Sequence, residues 1–191
     1  MSSLEWVAAA LGLVCVALAV RRSLWNYAFG VASTALLAIV VFEARLYSQT
    51  LLQIFFVAIN AYGFANWRRA KGDGADVPVE RMTPRELGRW SVGIVVATLV
   101  WGWAMHLLTD AAQPLLDAAI AIVSVAAQLL MARRRLENWL LWIAVDIASI
   151  PLFLGQGLSV VAGLYLVYLG LAIWGFVDWH RATRGAGPLA A

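Results

Sequence analysis

Residues 133–154 read RRRLENWLLWIAVDIASIPLFL. Three arginines lead to Glu137, and an almost wholly apolar run follows. Within that run Trp139, Trp142, Asp146 and Ser149 recur at steps of three, four and three. Such spacing keeps side chains near one line on a helix. Asp146 falls about halfway along the run, far from either flanking charge. A carboxylate at mid-depth in a bilayer costs several kcal/mol unless it faces a cavity or a partner. A helix of this kind is expected to line an interior.

The whole chain supports a membrane reading. It has 191 residues, 63% hydrophobic and 13% charged, with a mean hydropathy of +0.80. Soluble domains sit nearer 45–50% apolar and about 25% charged. Seven spans of about 20 residues each would use most of the chain and leave short loops. That leaves no room for a soluble catalytic domain. The pI is near 9.4, but the arginines cluster beside apolar runs, where membrane topology explains them better than nucleic-acid binding.

The rare residues exclude several chemistries. Cys15 is the only cysteine, so an intrachain disulfide or a cysteine-rich metal site is impossible. His106 and His180 are the only histidines and lack ligand spacing. Lys71 is the only lysine and sits in a loop, which leaves no candidate for a retinal Schiff base. No Walker A motif, HExxH or serine–histidine–aspartate arrangement appears, so neither ATP-driven transport nor a hydrolase is indicated. No cofactor and no metal is expected.

Taken in order, the first apolar run is Leu4 to Val20, ended by Arg21 and Arg22. Glu5 at its start argues for a retained helix over a signal peptide. The second run is Trp25 to Phe42, before Glu43-Ala44-Arg45. The third is Ser48 to Trp67, before Arg68, Arg69 and Lys71. The linker KGDGADVPVERM is too polar to enter lipid. Thr83-Pro84-Arg85-Glu86 then reads as a capping box with proline in the first turn. The fourth helix runs to about Leu108, a turn spans Asp110 to Gln113, and Pro114 opens a fifth helix ending at Arg133. The sixth is the opening stretch, where Pro151 removes a backbone hydrogen bond to Ile147 and predicts a kink. Gly155-Gln156-Gly157 turns the chain into the seventh, Leu158 to about Trp179. Every basic residue except Arg45 belongs to the ends after helices one, three, five and seven. The positive-inside rule then predicts the N-terminus outside and the C-terminus cytoplasmic.

Residues 21–70 and 133–182 align without a gap at an offset of 112. Arg21, Arg22, Leu24 and Asn26 meet Arg133, Arg134, Leu136 and Asn138. YGFANWRRA meets WGFVDWHRA. The expected organisation is two parallel three-helix repeats joined by a connector helix, 3+1+3 in an all-α integral membrane fold. The first repeat is 1–69, the cytoplasmic linker 70–83, the connector helix 84–110, the second repeat 111–184 and a disordered tail 185–191. Parallel repeats with a site between them near mid-membrane are a transporter arrangement.

AQLLMARRRLENWLLWIAVDIASIPLF and GLYLVYLGLAIWGFVDW, with the weaker echo YGFANW, resemble the Pnu family of bacterial vitamin transporters, best represented by its PnuC-type nicotinamide riboside branch. The resemblance covers roughly residues 5–182. It implies a fold related to the SWEET sugar transporters, a homotrimer, and facilitated diffusion of a vitamin that intracellular phosphorylation then traps. Members divide among nicotinamide riboside, thiamine and riboflavin. Asp146 stands where some relatives carry asparagine.

A flat aromatic vitamin with a hydroxylated arm needs ring faces and neutral hydrogen-bonding groups. Trp139 and Trp142 supply the faces and Asp146 a counter-charge. Gln53 and Asn60 lie inside the third helix, in a row with Gln49 and Phe56. Ser124 and Gln128 are one turn apart on the fifth, as are Tyr165 and Tyr168 on the seventh, and Asn26 begins the second. These ten are the candidate substrate-binding residues. Trp6, Trp25, Trp67, Trp90 and Trp179, near helix ends, are expected to form an interfacial belt. Asn66 and Asp178 read as helix-end caps or ion pairs, and Asp117 and His106 as water-facing. The resulting expectation is a uniporter of the bacterial inner membrane working by alternating access, with nicotinamide riboside as first choice of substrate. The alternatives are thiamine or riboflavin, a SWEET-like sugar carrier and, last, an intramembrane enzyme.

Overall fold

The computed structural model describes residues 3–43, 47–74, 76–108, 113–155 and 157–185. Expectations for Arg45, for Gln156, for the turn residues 110–112 and for 186–191 lie outside them, as does the side chain of Gln49. Seven helices are present: α1 (Ser3–Val20), α2 (Trp25–Glu43), α3 (Tyr47–Lys71), α4 (Pro84–Leu108), α5 (Pro114–Ala132), α6 (Asn138–Gly155) and α7 (Ser159–Gly185). Among the described residues four spans, α4, α5, α6 and Ser159–Arg184 of α7, are long and apolar enough to cross a membrane. Shorter apolar stretches are Trp6–Val20 and Trp25–Ile39. α7 runs past Trp179 because nothing up to Gly185 breaks a helix, so its last residue enters the segment expected to be disordered.

The helix ends follow from local chemistry. The Thr83 hydroxyl accepts from the Glu86 N–H (3.3 Å), and the Glu86 carboxylate accepts from the Thr83 N–H (2.8 Å), completing the capping box ahead of Pro84. α1 and α5 stop in the same way. Arg22 (φ 55) and Arg134 (φ 60) are the non-glycine residues with positive φ among those described. At the first, Arg22 N–H donates to Ala19 O and Ser23 N–H to Leu18 O, each at 3.0 Å. At the second, Arg134 N–H donates to Met131 O and Arg135 N–H to Leu130 O, each at 2.9 Å. Both are Schellman ends, built with arginine where glycine is commoner. They lie 112 residues apart. Asn26 and Asn138, at the same offset, each donate to the carbonyl three residues back, Ser23 O and Arg135 O, at 2.6 Å.

Helix contacts close a ring. α1 packs on α2 and α7, α2 on α3, α3 on α5, α5 on α6, and α6 on α7. α4 stands outside this ring and touches α5 alone among the described helices. The α3–α4 segment returns across the basic end as a strap. Glu80 forms an isolated parallel bridge with Arg135 and ion pairs with Arg134 and Arg135. Met82 N–H donates to the Glu137 carboxylate (3.1 Å), and Arg22 reaches Asp76 (3.4 Å). Val77 is buried beneath the strap, in a cluster with Val20, Trp67, Leu136, Trp139 and Trp179.

Two tryptophans of the expected belt are elsewhere. Trp6 and Trp25 are exposed, as an interfacial position requires, but Trp67 and Trp179 are both 0% exposed. Position near a helix end does not decide which way a ring points. The last carbonyls of a helix lack i+4 donors, and these indoles add donors from across the bundle to those the Schellman turns provide. Trp67 donates to Met131 O at 3.0 Å, and Trp179 to Ala19 O and Val20 O at 3.2 and 3.1 Å. Asn66 adds a bond to Ala132 O at 2.8 Å, so it caps a neighbouring helix instead of its own. Tyr27, Trp67, Trp179 and Trp139 form a row of rings with successive centroids 5.2, 5.7 and 5.5 Å apart. That row closes the basic end of the ring of helices.

Candidate functional site

Within the six-helix ring, above the aromatic row, lies a cavity of about 320 Å³. All ten candidate residues line it: Asn26 from α2, Gln53 and Asn60 from α3, Ser124 and Gln128 from α5, Trp139, Trp142 and Asp146 from α6, and Tyr165 and Tyr168 from α7. Helical spacing explains why each helix contributes a pair or triplet. Residues three or four apart share a face, and the closed ring gives each of these helices one inward face.

The cavity wall is mostly apolar, with a few polar groups, the usual composition of a small-molecule site. Among the described residues Asp146 is its only charged side chain, and no arginine or lysine lines it. As a residue Asp146 is 3% exposed, and its carboxylate forms no hydrogen bond or ion pair with another described residue. A structural lock to a neighbouring hydroxyl is therefore absent among the described residues.

Elsewhere in the wall, Gln128 Nε2 donates to Asn60 Oδ1 at 3.1 Å. This bond leaves the Asn60 amide N–H2 and the Gln128 carbonyl free to meet a ligand. Gly30 lets the pair sit close to α2: a Cβ there would stand 3.3 Å from Asn60 Oδ1 and 3.2 Å from Cys15 Sγ. Ser124 donates to Ile120 O at 2.7 Å and Thr34 to Gly30 O at 2.7 Å, so these hydroxyls can still accept but not donate. Asn26 spends one amide proton on Ser23 O, which makes it partly a helix cap.

The aromatic groups divide into support and surface. Trp139 is buried edge-on against Trp179 (5.5 Å, 90°), and its ring rests on Gly175, where a Cβ would approach to 2.6 Å. Tyr27 rests in the same way on Gly63, at 2.5 Å. Trp142 is half-buried and keeps part of its ring toward the cavity. Tyr165 lies edge-to-face with Tyr168 (6.1 Å, 78°) and against Phe153 at 5.1 Å. The Tyr168 hydroxyl fills the space that a side chain at Gly12 would need.

Several wall residues escaped the reading of the sequence. Gly12, Cys15, Val16 and Ala19 line the cavity from α1, and Ser33, Thr34 and Leu37 from α2. The signal on α1 was available as a stripe of small residues at steps of three, one and three. Without a polar group in the stripe, nothing distinguished it from an ordinary packing face.

The chain is similar along nearly its whole length to known proteins. A family model described as nicotinamide mononucleotide transporter matches residues 2–181. The PnuC nicotinamide riboside transporter of Escherichia coli is 28% identical, covering 100% of this chain and 90% of that protein. The PnuC of Neisseria mucosa is 32% identical over 96% of this chain and 74% of that protein. The riboflavin/roseoflavin transporter RibM of Streptomyces davaonensis is 31% identical over 94% and 85%. A crystal structure of the vitamin B3 transporter PnuC matches with a TM-score of 0.78 and 31% identity, covering 96% of this chain and 83% of that one. An aromatic-lined cavity in a ring of apolar helices, matched along its length by vitamin carriers, makes this multi-pass membrane protein a member of the nicotinamide mononucleotide transporter family.

Proposed function

We propose that the protein carries nicotinamide riboside across the bacterial inner membrane by facilitated diffusion, with intracellular phosphorylation trapping the product. One observation carries the choice of substrate. Asp146 is buried in the cavity wall without a hydrogen-bond or ion-pair partner, and with no basic side chain beside it, among the described residues. A cationic pyridinium is the complement of such a site, held by the carboxylate and by the Trp142 ring face. A mononucleotide would bring a phosphate into a cavity with no cation to receive it and one carboxylate to repel it. The Asn60–Gln128 pair supplies neutral donors and acceptors for the carboxamide and ribose hydroxyls.

The reading extends to mechanism and assembly. Two parallel three-helix repeats joined by α4 are supported by the Schellman ends, the glycine–aromatic contacts and the crossing tryptophans, all recurring at an offset of 112. Alternating access would open the basic end by parting the aromatic row and lifting the strap. The basic end faces the cytoplasm, which leaves the N-terminus outside and the C-terminus inside. A homotrimer is the assembly expected from the resemblance.

A second reading, riboflavin, is favoured by the similarity to RibM. The two separate on charge, because the flavin ring is neutral. Counterflow in proteoliposomes with labelled nicotinamide riboside, riboflavin and thiamine tests both, comparing wild type with Asp146→Asn. The expected result is saturable nicotinamide riboside exchange that Asp146→Asn weakens at least tenfold. Riboflavin exchange untouched by that substitution would instead establish the second reading. Saturable exchange of none of the three would overturn both.

A further inference from the structure

The outer face of α4 and α5 carries a second concavity, separate from the transport cavity. Its walls are Arg89, Trp90, Gly93, Ile94 and Ala97 on α4, with Ile122, Val125, Ala126 and Leu129 on α5. On α4 the row Arg89, Gly93, Ala97 runs at steps of four. On α5 the row Ile122, Ala126, Leu129 runs at steps of four and three and continues to Arg133. Each apolar row therefore ends in an arginine, and both arginines stand at the basic end of the molecule. Glycine and alanine in the rows leave room between the helices: a Cβ at Gly93 meets no atom within 4 Å.

The two arginines differ from others at that end. Arg22, Arg134 and Arg135 are neutralised by Asp76, Glu80 and Glu86. Arg89 and Arg133 are exposed and form no ion pair among the described residues; Glu86, one turn before Arg89 on α4, feels its charge but pairs with Arg135. The Arg133 guanidinium lies 5.6 Å from the ring centroid of Trp90, at the mouth of the groove. Stacking on the ring leaves the edge of the guanidinium, with its donors, open.

We propose that this groove seats one anionic phospholipid of the cytoplasmic leaflet, its acyl chain along Gly93, Ala97 and Ala126 and its phosphate between Arg89 and Arg133. Charge complementarity commits the site to this occupant: the apolar length suits an acyl chain, and the paired cations at one end suit a headgroup phosphate. Because α5 also lines the transport cavity through Ser124 and Gln128, the lipid braces a helix of the carrier from its outer side.

Native mass spectrometry of the detergent-purified protein with phosphatidylglycerol and with phosphatidylcholine provides the test. Retention of one phosphatidylglycerol per chain is expected, with phosphatidylcholine bound at least tenfold less. Arg89→Gln/Arg133→Gln should weaken phosphatidylglycerol on the order of tenfold. Arg68→Gln/Arg69→Gln, which removes the same charge elsewhere at that end, should leave it unchanged. Gly93→Leu fills the groove with both arginines intact and should also weaken binding. Equal loss in the two arginine pairs would reduce the effect to general surface charge and overturn the site. Equal binding of the two lipids would overturn it too. A change of oligomeric state in Gly93→Leu with lipid retention intact would show the groove to be a contact between copies, again overturning it.

Discussion

The indole of Trp67 crosses from α3 to the end of α5, where its N–H donates to the carbonyl oxygen of Met131 at 3.0 Å. Trp179, 112 residues later, does the same from α7 to the end of α1, reaching Ala19 O and Val20 O. Both rings are fully buried and their centroids are 5.7 Å apart. Each Schellman end thus receives a further donor from a tryptophan on a helix distant in sequence, which ties α3 to α5 and α7 to α1 at the basic end.

Replacing Trp67 with phenylalanine keeps much of the packing and removes the donor. Met131 O keeps the Arg134 N–H as a donor, so Trp67→Phe forfeits one net hydrogen bond, about 0.5–1.5 kcal/mol, and should lower the melting temperature of the purified protein by a few degrees. Trp179→Phe should do the same. Because the rings touch, the double variant should lose measurably more or less than the sum of the singles. Strict additivity would count against a shared aromatic seam.

The glycines beneath Tyr27 and Trp139 give a sharper contrast. Gly63→Ala and Gly175→Ala would force a methyl group to within 2.5 and 2.6 Å of those rings. Overpacking of this kind costs about 1–3 kcal/mol. Gly88→Ala and Gly170→Ala meet nothing within 4 Å and should be neutral or slightly stabilising through helix propensity. Thermal unfolding of the four variants in one detergent is the comparison. Equal behaviour of the two pairs would refute the close contact.

In the cavity, the position of Asn60 depends on a residue with no side chain. Gly30→Ala places a methyl 3.3 Å from Asn60 Oδ1 and should disturb its bond to Gln128. Transport assays should find a raised KM in Gly30→Ala and in Gln128→Ala. The double variant should be little worse than either single, since both break the same pair.

In the proposed site, Trp142 is the ring face offered to a cationic substrate. Loss of a cation–π contact costs about 0.5–2 kcal/mol, equivalent to roughly 2- to 30-fold in affinity. Trp142→Ala should weaken nicotinamide riboside binding within that range, and Trp142→Phe should recover part of it. Unchanged affinity in Trp142→Ala would remove the ring from the site.

The strap makes a prediction about exchange kinetics. Glu80 is the carboxylate paired with Arg134, whose side chain is only 12% exposed. Glu80→Ala leaves that guanidinium poorly solvated and unpaired, a costly state. Amide hydrogen exchange over residues 76–82 should accelerate on the order of tenfold or more, while exchange at the middle of α6 stays slow.

Composition and periodicity were enough for the membrane class, the seven helices and the capping box at Thr83. Each rests on interactions within one short stretch of chain. That these ten residues would face an interior was also legible, because an isolated polar or ionisable group on an apolar helix has few tolerable environments. All ten line one cavity, though each helix was read separately.

What sequence alone could not decide is direction and closure. Trp67 and Trp25 are both tryptophans near a helix end, yet one is buried and hydrogen-bonded while the other is 70% exposed. The difference lies in a partner more than sixty residues away, the Met131 carbonyl at the end of α5. The same holds for the strap, where Glu80 finds Arg134 only because α3 and α5 pack together. Within residues 133–154, the spacing of Trp139, Trp142 and Asp146 determined a shared inward face. Only the tertiary structure separated Trp139, committed to Gly175 and Trp179, from Trp142 and Asp146, left facing the cavity. Helical periodicity is a property of one helix, whereas a ring's neighbours are chosen by the helices that close around it.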